Sequence, residues 1–342
     1  MDRKILLIYT GGTIGMKQDS ETMLLKPFDF HQIMREVPEL RKFGYTIDSI
    51  SFDPPIDSSD VRPAFWVKLA GIIQANYRFY DGFVVLHGTD TMSYSASVMS
   101  FMLENLEKPV IFTGSQLPIG MLRTDGKENL ISSIELAADR DESGHPRICE
   151  VCIYFESQLY RGNRTIKYNA ENFRAFRSAN YPVLADVGIH IKYNTSVLYR
   201  PDTWGKPLRL HTELDTRVAV LKIFPGITEP LVRGILSAEG LRAVVLETYG
   251  SGNSLSDGWF LDAIRDFTGN GGVIVNISQC PAGTVDMGAY ANGDILRRAG
   301  VVCGRDMTTE AAVTKLFVLL GQYSDSKEVA KKMEIGVSGE IS

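Results

Sequence analysis

Cysteine is scarce in this chain. Cys149, Cys152, Cys280 and Cys303 are the only four among 342 residues, too few for a disulfide-stapled scaffold. Cys149 and Cys152 form a CxxC within RICEVCIYF. A second ligand pair at zinc-site spacing is absent and the run reads as a buried strand, so the expectation is core packing and no metal. No stretch approaches the ~20 apolar residues of a membrane span. The apolar run of five after MDRK is too short for a signal peptide, so the chain is expected to be cytoplasmic, without membrane contact. Its formal net charge is −5, which argues against a broad phosphate-binding face. A basic stretch from Arg161 to Arg177 stands without any RNA-binding module, and no nucleic-acid partner is expected. Several catalytic signatures are also missing. There is no G-x-S-x-G elbow, GGTIG does not fit G-x-G-x-x-G, and no P-loop occurs. Of five histidines only His87 lies within a candidate site motif, where it reads as a hydrogen-bonded scaffold residue.

What the chain does contain is alternation. ILLIY (5–9), DSISF (48–52), GFVVL (82–86), PVIFT (109–113) and VCIYF (151–155) read as strands, and 65–77, 95–106 and 128–140 carry apolar residues at helical spacing. That order predicts a mainly parallel sheet covered by helices on both faces. The interval 191–216 breaks the pattern: it is polar, contains Pro201 and Pro207, and reads as a linker. Strands are again expected over 218–224, 243–249, 272–278 and near 300–303, with helices over 229–238 and 258–267. A last amphipathic helix, TTEAAVTKLFVLLGQ, has Thr308 or Thr309 as its cap. At this length two domains are expected. The larger is a doubly wound, mainly parallel catalytic α/β domain over 1–190, followed by the linker 191–216 and a smaller α/β domain over 217–342.

Ligands of open α/β sheets bind beyond the carboxyl ends of the strands. The segments that follow the five N-terminal strands are TGGTIG, DPPIDSSD, HGTDTM, GSQLP and ESQLYRGNRTIK. Gly, Ser, Thr and Asp are ordinary turn residues, but two of these segments exceed what a turn requires. TGGT brackets its glycines with hydroxyls, and HGTDT sets an acid between two threonines before a helix. A threonine hydroxyl attacks a carbonyl only when a neighbour removes its proton. A lysine can do so where its surroundings favour the neutral amine, and an acid can orient it. Lys167, Asp90 and Thr89 form such a set, and Thr13 adds a second hydroxyl on a glycine-freed turn. Backbone N–H groups at Thr89 or Ser115 could stabilise an oxyanion. Acyl transfer on a carboxamide, with no cofactor, is the chemistry this inventory supports.

LIYTGGTIG and GFVVLHGTDTM resemble the two signature segments of the bacterial-type asparaginase/glutaminase family, in its cytosolic type I branch. The likeness extends through LENLEKPVIFTGSQLP, LYRGNRTIK and GRDMTTEA. The resemblance implies hydrolysis of L-asparagine through an acyl-enzyme; the choice between L-asparagine and L-glutamine, one methylene apart, stays open, with weak action on L-glutamine among the alternatives. It implies Thr13 as nucleophile and Thr89, Asp90 and Lys167 as the second cluster, serving proton transfer and the deacylating water. Which of the two threonines attacks stays open. Asp90 resembles the partner of the substrate ammonium, and Ser58 and Ser59 match the segment holding its carboxylate. Asn253 in YGSGN resembles a residue that reaches a neighbouring subunit's site, which implies a homodimer or homotetramer. Two departures stand out. Residues 16–30 contain no tyrosine where family members commonly carry one, so Tyr9 or another group would take that role. Glu247 and Thr248 occupy the place of an arginine tied to a regulatory asparagine site in some members. Two other readings stay in view: an amidotransferase subunit delivering ammonia to tRNA-bound glutamate, against which the first motif's start at Thr10 leaves no room for an extra N-terminal domain, and a non-catalytic amino-acid sensor.

Overall fold

The computed structural model describes residues 3–18, 25–27, 35–202, 204–288 and 291–342. The chain separates into two compact units, Met1–Ser178 with Pro182–Leu210, and Ala179–Tyr181 with His211–Ser342. In the larger unit the five apolar runs form β1 (Lys4–Tyr9), β2 (Thr46–Ser51), β3 (Gly82–Leu86), β4 (Val110–Thr113) and β5 (Val151–Phe155). Every residue of β3 and β5 is buried, as expected of strands covered on both faces. These five strands pair in parallel. β6 (Gln158–Arg161), β7 (Ala185–Val187) and β8 (Ile191–Tyr193) then extend the sheet antiparallel. The β5–β6 hairpin turns on Glu156 and Ser157, both at positive φ, as a two-residue hairpin of this kind requires.

The strand order is β8-β7-β6-β5-β4-β3-β1-β2. Its parallel part runs 2-1-3-4-5, so the topological switch point falls between β1 and β3. Among the described residues α1 (Pro63–Asn76), α2 (Met92–Met102) and α3 (Gly126–Ala138) pack on this sheet. Pro63 opens α1 at a position where its missing N–H costs nothing, and Phe65, Trp66, Leu69, Ala70 and Ile73 form its buried stripe. α2 ends earlier than its apolar run suggests. Leu103–Glu104 leaves the helix to pair antiparallel with Arg209–Leu210, and Asn105 adopts positive φ. The polar interval 191–216 is accordingly not a free linker throughout. Ile191–Tyr193 is the sheet's edge strand and Arg209–Leu210 docks on the larger unit. Prolines exclude a helix from such a stretch without excluding short backbone pairings.

The smaller unit is a parallel four-stranded sheet in sequence order, β9 (Val218–Lys222), β10 (Ala243–Thr248), β11 (Val273–Ser278) and β12 (Val302–Cys303). Its helices are α4 (Glu229–Leu236), α5 (Gly258–Gly269), α6 (Ala291–Arg298), α7 (Thr309–Gln322) and α8 (Ser326–Met333). Leu221, Leu246, Phe260, Ile264 and Phe267 belong to its core. Thr308 caps α7, its side chain accepting from the Ala311 N–H at 3.1 Å. Among the described residues no helix is long and apolar enough to cross a membrane. Cys149 and Cys152 are free and buried, and burial pushes the Cys149 thiol up to about 12 and raises Cys152 as well. Their Sγ atoms face separate carbonyls, of Pro146 and Glu150.

Candidate active site

Three strand-end turns of the larger unit meet at the switch point. After β1 the chain enters TGGT through backbone bonds on both sides. The Thr10 N–H donates to Leu86 O at 3.0 Å, and the Thr10 carbonyl accepts from Ile56 N–H at 2.8 Å. Gly11 and Gly12 take φ of 135° and 90°, a region that L side chains rarely adopt. Space demands glycine as strongly. A Cβ on Gly11 would collide with the Ile56 carbonyl oxygen, and one on Gly12 would lie 2.5 Å from Gly88 Cα. A Cβ on Gly88 would in turn come within 2.5 Å of Ser58 Oγ. Gly11 and Gly12 therefore pack on the backbone of Ile56 and Gly88, Gly88 lies against the Ser58 side chain, and Thr13 opens a short 3-10 turn directly after these contacts.

The second cluster is bonded directly. Lys167 Nζ donates to Thr89 Oγ1 at 2.8 Å and to Asp90 Oδ1 at 2.6 Å. The lysine side chain is largely buried, whereas the Asp90 side chain is 63% exposed. Thr89 Oγ1 donates onward to Gln116 Oε1 at 3.4 Å. The Gln116 amide also anchors on the carbonyls of Ala170 and Asn172, at 3.3 and 3.2 Å. Lys167 reaches this point from a small hairpin in which it pairs with Phe176.

Neither threonine of HGTDT caps α2 by its side chain. Thr91 Oγ1 instead donates to Ser58 O at 2.7 Å and ties the DSSD turn to the site. Ser58 is buried. Ser59 is exposed, and its hydroxyl and N–H both donate to Asp57, lowering that carboxyl's pKa. Ser115 is buried with its hydroxyl donating to Leu117 O. Asn253 belongs to the smaller unit, on a turn closed by reciprocal Tyr249–Asn253 backbone bonds of 2.9 Å.

Two residues of the site, Gln116 and Asp125, carry no signal of their own in the sequence. Asp125 precedes α3 and looks like a cap, yet its carboxylate accepts from the N–H groups of Gln116 and Leu117, between 3.0 and 3.2 Å. Gln116 stands one residue after Ser115 in GSQLP, so its position after β4 was the available clue. Tyr9 is unsuited to take a proton from Thr13. Its hydroxyl donates to Gly15 O at 3.1 Å and burial pushes its pKa up to about 12. The loop without tyrosine, 16–30, lies largely outside the described residues.

His87 is scaffold. Its Nδ1 lies 2.6 Å from the Gly88 carbonyl, which can only accept, so Nδ1 carries the proton. Nε2 then accepts from Ser95 Oγ at 2.9 Å, and Ser95 Oγ accepts from Trp66 Nε1 at 2.9 Å. Full burial pushes the imidazole down to about 4, keeping it neutral.

An Asparaginase, N-terminal family model matches residues 4–199, and a Glutaminase/Asparaginase C-terminal domain model matches residues 217–333. The chain is 42% identical to L-asparaginase 1 of Escherichia coli (strain K12), covering 99% of this chain and 98% of that one. It is 33% identical to a glutamyl-tRNA(Gln) amidotransferase subunit of Metallosphaera sedula, over 98% of this chain and 76% of that protein. The crystal structure of L-asparaginase I from Vibrio cholerae superposes with a TM-score of 0.91 at 39% identity, covering both chains completely.

Proposed function

This chain belongs to the asparaginase family, and we propose that it hydrolyses the side-chain amide of L-asparagine to L-aspartate and ammonia through a threonine acyl-enzyme. Thr13 Oγ1 forms the bond to the amide carbon, and the carbonyl π electrons move to oxygen. Collapse of that adduct expels the amide nitrogen, which takes up a proton and leaves as ammonia. Water then adds to the Thr13 ester, Thr13 departs as its alcohol, and aspartate is released. The Lys167–Thr89 pair carries protons in these steps. The observation that carries the reading is Lys167 Nζ within hydrogen-bond distance of both Thr89 Oγ1 and Asp90 Oδ1, on the turn whose Gly88 packs against Gly12.

The exposed Asp90 carboxylate receives the substrate ammonium as a charge-assisted contact. Ser58, Ser59 and the adjoining turn face the α-carboxylate, and the Thr89 and Ser115 N–H groups serve the oxyanion. L-glutamine, one methylene longer, is expected to react more weakly, a difference worth about 1–3 kcal/mol in a pocket. The working form is a homodimer or homotetramer in the cytoplasm, with Asn253 offered to a neighbour's site.

Ammonia release from asparagine tests the assignment. Thr13→Ala and Thr89→Val should each lower kcat by about a thousandfold. Wild-type rates in both variants would end this reading. The amidotransferase alternative, favoured by the 33% relative, predicts co-purification with tRNA and a partner protein. A sensor predicts asparagine binding without turnover.

A further inference from the structure

Beside the hairpin that carries Lys167 the larger unit has a groove of about 840 Å³, within the size range of small-molecule sites. None of the residues assigned to catalysis lines it. Its lining comes chiefly from 168–177 of that hairpin and from 186–192 around the β7–β8 turn, with part of the β5–β6 hairpin.

Charge is unevenly matched there. Arg174 lies 3.2 Å from Glu156 and neutralises it. Asp186 accepts from the Gln158 amide at 3.1 Å. Arg177 is exposed and has no ion pair among the described residues, whereas Lys192, also exposed, stands directly across the β7–β8 ladder from Asp186. With Arg174 set against Glu156 and Lys192 opposite Asp186, the lining keeps one cation in excess, Arg177, and His190 lines the groove as well. Unmatched cations in a concave surface concentrate anions. The groove also offers a flat surface. The Arg177 guanidinium lies over the Tyr168 ring, 5.5 Å from its centroid, and both groups stack well on planar rings.

We propose that this groove binds a small organic anion bearing a planar ring, of the nucleoside monophosphate class, its phosphate meeting Arg177 and Lys192 and its base lying against Tyr168. The hairpin makes the site consequential, in a way that rests on the amidohydrolase reading. Phe176 lines the groove and is the strand partner of Lys167. Asn172 also lines it, and its carbonyl holds the Gln116 amide that touches Thr89. A ligand here thus bears on backbone that two site contacts share, and any effect on asparagine affinity must be reciprocated in its own affinity.

The test is calorimetric titration of the full chain with adenosine 5′-monophosphate, with inorganic phosphate and adenosine as separate arms. Saturable binding of the nucleotide is expected, at least about tenfold tighter than either half alone. Arg177→Ala and Lys192→Ala should each weaken it about tenfold with the fold retained, both side chains being exposed. Steady-state kinetics with the nucleotide present should show a changed KM for asparagine. Absence of saturable binding, or binding undiminished in the double variant, overturns the proposal. Phosphate binding as tightly as the nucleotide overturns the ring assignment. Calorimetry needs no turnover, so these failures are distinct from a failure of the amidohydrolase reading.

Discussion

His87 illustrates how much one side chain can contribute without touching substrate. Its two ring nitrogens are matched by a carbonyl and a serine hydroxyl, so a second ring proton would find a donor in its way. The imidazole titrates near 4 in the folded chain, against 6.5 when exposed. Between those values the unfolded chain binds the proton and the folded chain does not. Stability from this residue is thus complete above pH 6.5 and is lost as pH falls toward 4, by up to about 3 kcal/mol. Urea unfolding across that range should give a flatter pH dependence for His87→Gln than for wild type; parallel curves would refute the account. Thr13, Thr89 and Asp90 stood out in the sequence because HGTDT and TGGT exceed turn chemistry, and Lys167 because it is the one lysine in the segments that follow the five strands. Gln116 was not, since glutamine carries no such surplus and its role depends on the carbonyls of Ala170 and Asn172, more than fifty residues away.

Elements were legible where apolar runs are long and buried on both faces, and less so where pairing is short. VCIYF and GFVVL coincide with β5 and β3 to the residue, because a fully buried strand admits apolar residues at every position. Leu103–Glu104 and Arg209–Leu210 are two-residue pairings with no periodicity to read. Glycines separate turn from helix in the same manner. Gly12→Ala forces a methyl against the Gly88 backbone at positive φ and should cost about 2 kcal/mol or more together with most activity. Gly71 sits inside α1 with nothing within 4 Å of a built Cβ, and Gly71→Ala should stabilise by about 0.5–1 kcal/mol with turnover unchanged. Thermal unfolding of the pair checks both signs.

At the scale of the molecule, the strand order explains why the site lies where it does. A 2-1-3-4-5 sheet sends the connections after β1 and β3 to opposite faces, and the gap between them is a crevice at the strand ends. Alternating strands and helices announced a parallel sheet, but periodicity offers no means of ordering its strands. Subunit cooperation is testable at this scale too. Thr13→Ala and Asn253→Ala protomers, each inactive alone, should regain about a quarter of wild-type activity when reassembled together at random as dimers, because half the dimers are mixed and each mixed dimer has one intact site. No recovery would mean that each subunit completes its own site.

Lys167 stands near the midpoint of the chain and has Phe176 as its strand partner. Thr13, Ser58 and Thr89 are all synthesised well before it. A nascent polypeptide therefore contains the residues of both threonine turns before the Lys167–Phe176 pair exists to bring an amine to Thr89.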